Sequence, residues 1–144
     1  MYEIAKRKNL AARIVLALIL LFILNFVIKN IFNTEASIND KLVKVANEIN
    51  KHTPIIVDSM TRCDNVIALT GNKLQYNYTI TNLEKKEIDT TILLSSVKEH
   101  MLNIIKTNPK VAFFRDNNVD FIASYSDKKG NYVCSALFSH NDYK

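Results

Sequence analysis

Apolar residues fall into three patterns along the chain. The first is continuous: from Ile14 to Ile28 every residue is apolar except Asn25, and thirteen of the fifteen are Leu, Ile, Val or Phe. Such a run has no polar face, so it is not an amphipathic helix. At roughly −0.3 to −0.6 kcal/mol each, the thirteen favour insertion into lipid by about 4 to 8 kcal/mol, which absorbs the single Asn. As a helix the run is about 22 Å long, short of a ~30 Å hydrocarbon core. Arg13 and Lys29 extend it by reaching toward the headgroups, so Leu10 to Phe32 is the expected transmembrane span.

The second pattern has helical spacing. Ile38, Leu42, Val45, Ala46 and Ile49 form one stripe after Ser37, which is placed as an N-cap, and Pro54 ends the helix. Leu93, Val97, Met101, Ile104 and Ile105 form a second stripe, predicting a helix from Asp89 or Thr90 to about Thr107. Asn108 and Pro109 then restart the chain for a short helix through Phe114.

The third pattern alternates. "RCDNVIAL" (62–69) and "LQYNYTIT" (74–81) flank "TGNK", whose Gly71 and Asn72 tolerate positive φ, so the segment is a hairpin. Leu74, Tyr76, Tyr78 and Ile80 face one way; Gln75, Asn77, Thr79 and Thr81 face the other. "VDFIASYS", "DKKG" and "NYVCSALF" form a second hairpin, with Gly130 at the left-handed position. "PIIVDS" is an extended connection or a further strand. The predicted order is α-ββ-α-(short α)-ββ, an α+β domain with an antiparallel sheet and helices on one face.

Charge settles the topology. The chain carries a net +5, but residues 1–33 hold five Lys or Arg against one acid, whereas residues 34–144 hold fourteen against thirteen. The basicity therefore belongs to the N-terminus and does not indicate a nucleic-acid partner. By the positive-inside rule, residues 1–9 stay in the cytoplasm, 10–32 span the cell membrane once, and 33–144 form the exported domain. The alternative is a signal peptide cut near Ser37, leaving a secreted protein; Lys29 and Glu35 close to the cut oppose it. The implied partners are the lipid bilayer and an envelope protein.

Candidate chemistry is sparse. Two glycines in the whole chain exclude hydrolase elbows, phosphate loops and dinucleotide fingerprints. His52, His100 and His140 lie in different elements without metal-ligand spacing, so no catalytic, metal or cofactor residues are assigned. One polar cluster stands out, "VDSMTRCD", with Asp58, Thr61, Arg62 and Asp64. Arg62 either clamps an anionic ligand or a partner's carboxylate, or pairs with Asp58 or Asp64 and fixes the entrance to the first hairpin. A small envelope hydrolase using this segment is the rival to a binding or structural role. Cys63 and Cys134 either pair in an oxidising compartment or sit separately in the core.

The ordered set "PIIVDSMTRCD", "LQYNYTITN", Glu87-Ile88-Asp89 and "NPKVAFFRDNNVDF" resembles a family of small uncharacterised bacterial proteins, exported or singly membrane-anchored. The resemblance covers most of residues 38–127 and implies an α+β envelope domain without supplying catalytic residues. It also implies an aliphatic position where this chain has Cys63, which favours a core role for that residue.

Overall fold

The computed structural model of the protein describes residues 36–144. Helix α1 spans Ile38–Asn50, and the Ser37 side chain accepts the Asp40 N–H at 3.2 Å as its cap. Leu42, Val45, Ala46 and Ile49, the predicted stripe, are its buried residues. Five strands follow in chain order: β1 (Ile55–Ile56), β2 (Thr61–Leu69), β3 (Lys73–Ile80), β4 (Asp120–Ser126) and β5 (Tyr132–Phe138). Between β3 and β4 lie α2 (Thr90–Thr107) and the short α3 (Ala112–Asp116), each preceded by one turn of 3-10 helix.

Local chemistry sets the boundaries. Asp89 caps α2 by accepting the N–H groups of Thr91 and Ile92 at 2.9 and 3.1 Å. Asn108 starts the next turn by accepting the Lys110 N–H, with Pro109 at the first position, where no N–H is needed. Arg115 reaches back from α3 and donates to the carbonyls of Ile105 and Asn108 at 2.6 and 2.7 Å, satisfying acceptors that the end of α2 leaves open. Gly71 and Asn72 both adopt positive φ in the first hairpin.

The sheet order is β1-β2-β3-β4-β5. The α+β class holds, but the expected antiparallel sheet is corrected: β3 and β4 pair in parallel, from Lys73↔Asp120 to Thr79↔Ser126. Each hairpin is antiparallel within itself. The connection between them carries α2 and α3 and returns β4 in the direction of β3, which two central strands joined by a long crossover require. The sheet is therefore mixed.

Burial alternates along β3 and β4 with a period of two, so one sheet face is covered and the other open. α1 lies over β2 and β3, and α2 packs against β5. On the covered face Cys63, Tyr78, Tyr125 and Cys134 form one row across four strands. Tyr78 stacks on Tyr125 with ring centroids 5.2 Å apart. Two strands stand between the cysteines, a separation of three strand spacings or about 14 Å, beyond disulfide reach. Both thiols are free and buried, so the cysteines serve as core residues and no disulfide joins them. Burial, with the Asp64 charge adding to it, pushes the Cys63 thiol up to about 12, and such a thiol is unreactive.

Among the described residues no helix is long and apolar enough to cross a membrane. The expected span, 10–32, lies outside the described residues.

The second hairpin turns on a buried acid. Asp127, 1% exposed, accepts from the N–H groups of Lys85, Lys129 and Asn131 and from the Asn131 side-chain amide, at 2.8 to 3.1 Å. Burial alone would raise its pKa, but the Asn131 amide and the three backbone donors outweigh it and hold the carboxyl at about 2. A carboxyl depressed on folding contributes stability that is complete above its unfolded value of 3.8 and is lost as the pH falls toward about 2. Asp127→Asn should therefore lower the urea midpoint at neutral pH, and the gap from the parent should close toward pH about 2. A constant gap across that range would show that the carboxylate charge is not what the turn uses.

Candidate functional site

The open face of the sheet is built from the alternate positions of β2 to β5. Three rows cross it. The upper row is Ile67, Gln75, Ile122 and Leu137; the middle row is Asn65, Asn77, Ser124 and Ser135. The lower row runs from Ile56 through Arg62, Thr79 and Ser126 to Tyr132.

Polar groups on this face are organised by one another. Gln75 Nε2 donates to Asn77 Oδ1 at 2.8 Å, and Asn77 Nδ2 donates to Asn65 Oδ1 at 2.7 Å. A β-bulge between Cys63 and Asn65 supplies an extra residue, Asp64, so two consecutive polar side chains point outward while Cys63 and Val66 stay buried. The bulge brings Asp64 within 2.5 Å of both Arg62 Nε and the Thr79 hydroxyl, each donating to a different carboxylate oxygen. At the far edge the Tyr132 hydroxyl donates to Ser135 Oγ at 3.1 Å.

Apolar groups are exposed among them. Of the seven large hydrophobic residues exposed among the described residues, Ile56, Ile67, Tyr132 and Leu137 lie on this face, and Ile56, Tyr132 and Leu137 are more than half exposed. Ordered amides and hydroxyls are thus bordered by exposed apolar side chains on one sheet face.

The structure divides the four residues singled out in the sequence. Arg62 and Asp64 meet on the open face as an ion pair. Asp58 instead folds the β1–β2 turn: its carboxylate accepts the Met60 N–H at 2.7 Å, and its own N–H donates to Thr61 O at 3.2 Å. Thr61 pairs with Ile80, on the side of the strand opposite Arg62. Gln75 and Asn77 were readable from sequence only as part of a wet strand face, and Asn65 was assigned to no face; their network depends on the register between β2 and β3.

A second polar pair closes the other end of the sheet. His140 donates its backbone N–H to Asp120 Oδ1 at 2.9 Å, and its ring Nδ1 lies 2.8 Å from the same oxygen. Burial tends to raise the Asp120 pKa, but these contacts and nearby Lys73 lower it below the ordinary carboxylate value. Tyr143 docks the C-terminus beside this pair, donating its hydroxyl to Val119 O. Among the described residues no three His, Cys, Asp or Glu side chains converge as metal ligands.

A mixed five-stranded sheet with helices on one face, and an organised other face that no described residue covers, defines a small α+β domain. Residues 37–134 match a family described as a domain of unknown function, DUF8479, and the chain belongs to that family. No curated protein matches the chain. The fold is shared with a Pseudomonas aeruginosa protein described as a presumed secreted protein, at 16% identity and a TM-score of 0.63, covering 74% of this chain and 93% of that one. It is also shared with a type II secretion system pilotin from Vibrio vulnificus, at 9% identity and a TM-score of 0.58, covering 74% and 92% of the two chains. A pilotin from Vibrio cholerae is similar at 10% identity and a TM-score of 0.55, covering 73% and 91%. At these identities the likeness is one of fold.

Proposed function

We propose that the chain is an accessory protein of the bacterial cell envelope. Residues 10–32 cross the membrane once, residues 1–9 remain in the cytoplasm, and the domain stands outside. There it binds a protein partner through the open face of its sheet. The observation that carries this reading is the face itself: an ordered polar row between exposed Ile56, Ile67, Tyr132 and Leu137, covered by none of the described residues. Export is supported by the charge asymmetry around the apolar run and by a fold in common with a presumed secreted protein and two secretion pilotins. The Asp58–Asp64 segment gives little support to a hydrolase, because Arg62, Asp64 and Thr79 hold one another in place and Asp58 is bound to a turn.

Crosslinking in intact cells should recover one reproducible protein partner. Ile67→Lys with Leu137→Lys should abolish that crosslink while changing folding stability by no more than about 0.5 kcal/mol for each site, as surface substitutions do. A crosslink that survives both changes would move the docking site elsewhere on the domain. Mass spectrometry of the mature chain tests the anchor: an N-terminus near Ser37 would mean signal cleavage and a secreted protein.

A further inference from the structure

Away from the open face, cationic side chains gather where the segment after β3 meets the β4–β5 turn. The Lys85 N–H donates to Asp127 Oδ2 at 3.0 Å and the Lys128 N–H to Leu83 O at 3.1 Å, tying together two segments distant in sequence. On that frame three ammonium groups approach one carboxylate: Lys129 Nζ lies 3.0 Å from Glu84, and Lys86 and Lys128 each lie 3.7 Å away. Lys85 is exposed beside them. Glu87 is turned back onto the Glu84 N–H at 2.7 Å, and Asp127 is buried among its own donors. Four solvent-facing ammoniums thus share a platform with the carboxylates of Glu84 and Glu87 and the buried one of Asp127, an excess of one positive charge in which the cations face solvent.

This concentration is local. Residues 34–144 carry a net charge of only +1, so the remainder of the domain is close to neutral. Ion pairs between exposed side chains contribute little to folding, so stability does not account for clustering the lysines here. The tether supplies a reason. Residues 33–37 separate the expected span from α1, and five residues reach at most about 17 Å, so with that span in place the domain stays near the bilayer surface. One of its faces must oppose the headgroups, and a cationic face is favoured wherever those headgroups are anionic.

We propose that Lys85, Lys86, Lys128 and Lys129 seat the domain on anionic phospholipid headgroups of the membrane that holds residues 10–32. The proposal rests on the membrane placement given above and adds an orientation to it. The seat lies on the sheet end and not on the open face, which leaves that face free for its partner.

The test uses the full chain reconstituted in phosphatidylcholine vesicles, with and without phosphatidylglycerol. Lysine acetylation is followed by mass spectrometry, with exposed Lys44, Lys98 and Lys110 as internal references. The four clustered lysines should react at least about fivefold more slowly in the anionic vesicles and regain full reactivity in neutral vesicles or at about 1 M salt. Glu84→Gln, which removes the shared carboxylate, should deepen the protection. Equal reactivity in both vesicles would overturn the proposal. So would protection by inorganic phosphate in neutral vesicles, which would assign the cluster to a small anion instead. Release of the chain by alkaline wash would mark failure of the membrane placement itself, a separate result from a retained chain with unprotected lysines.

Discussion

Phe114→Ala is expected to destabilise the domain by about 4 kcal/mol, as removal of a buried phenyl ring from a close-packed core does. Phe114 is fully buried, and its ring meets Phe113 and Phe121 edge-on with centroids 5.5 and 5.7 Å away. It is the only fully buried side chain of α3, and its contact with Phe121 joins that helix to the start of β4. Cavity and lost ring contacts therefore add, and the surrounding sheet cannot collapse into the gap. Domains of this size are stable by only about 5–15 kcal/mol, so the variant should lose between about a quarter and about four-fifths of its margin. Urea unfolding followed by circular dichroism measures this. Phe114→Leu, which keeps most of the volume, should lose clearly less; equal losses would mean that α3 rearranges instead of leaving a void.

Asn50→Leu should cost about 3 kcal/mol through a different mechanism, the stranding of buried backbone groups. Strand β1 has only two residues and covers β2 only at Arg62 and Cys63. Beyond it, the Asn50 amide takes the place of a strand: Nδ2 donates to Val66 O and Oδ1 accepts the Val66 N–H, both at 2.7 Å. Val66 itself is fully buried, so water cannot replace those bonds without opening the edge. Amide hydrogen exchange gives the specific readout. Exchange at the Val66 N–H should accelerate by far more than at Tyr78 in the middle of the sheet; uniform acceleration would reflect a global loss and not an opened edge.

Much of the fold was legible because it is written in local signals. Ser37, Asp89 and Asn108 bond to backbone N–H groups within three residues, Pro109 opens its turn, and Gly71 and Gly130 adopt the positive φ that their turns need. The strand alternation in "LQYNYTI" separated covered from open positions correctly. The failures are all non-local. Nothing in either hairpin specifies which of its strands meets the other hairpin, so the parallel β3–β4 pair was missed. Cys63 and Cys134 looked equally able to pair or to stay apart until the register placed two tyrosines between them. Of the site, Arg62 with Asp64 was visible as a short-range pair, whereas Asp58 went to its own turn. The Asp64 bulge had a signal in retrospect: two adjacent polar residues, Asp64 and Asn65, between buried Cys63 and Val66 break a strict alternation. The long-range halves of the Asp127 and Glu84 clusters, to Lys85 and to Lys128 and Lys129, join segments more than forty residues apart and have no local signal.

The parallel seam also bears on how the chain reaches its native state. Every rung joins residues 47 positions apart, from Lys73↔Asp120 to Thr79↔Ser126. Closing that loop is an entropic cost met once, by the first rung, after which each further rung adds contacts with almost no additional chain to order. The two hairpins can form independently on short timescales, but their union is a single concerted event whose loop closure should set the overall rate. Shortening the α2–α3 connection, or lengthening it, should change how fast the protein assembles more than how firmly it stays assembled.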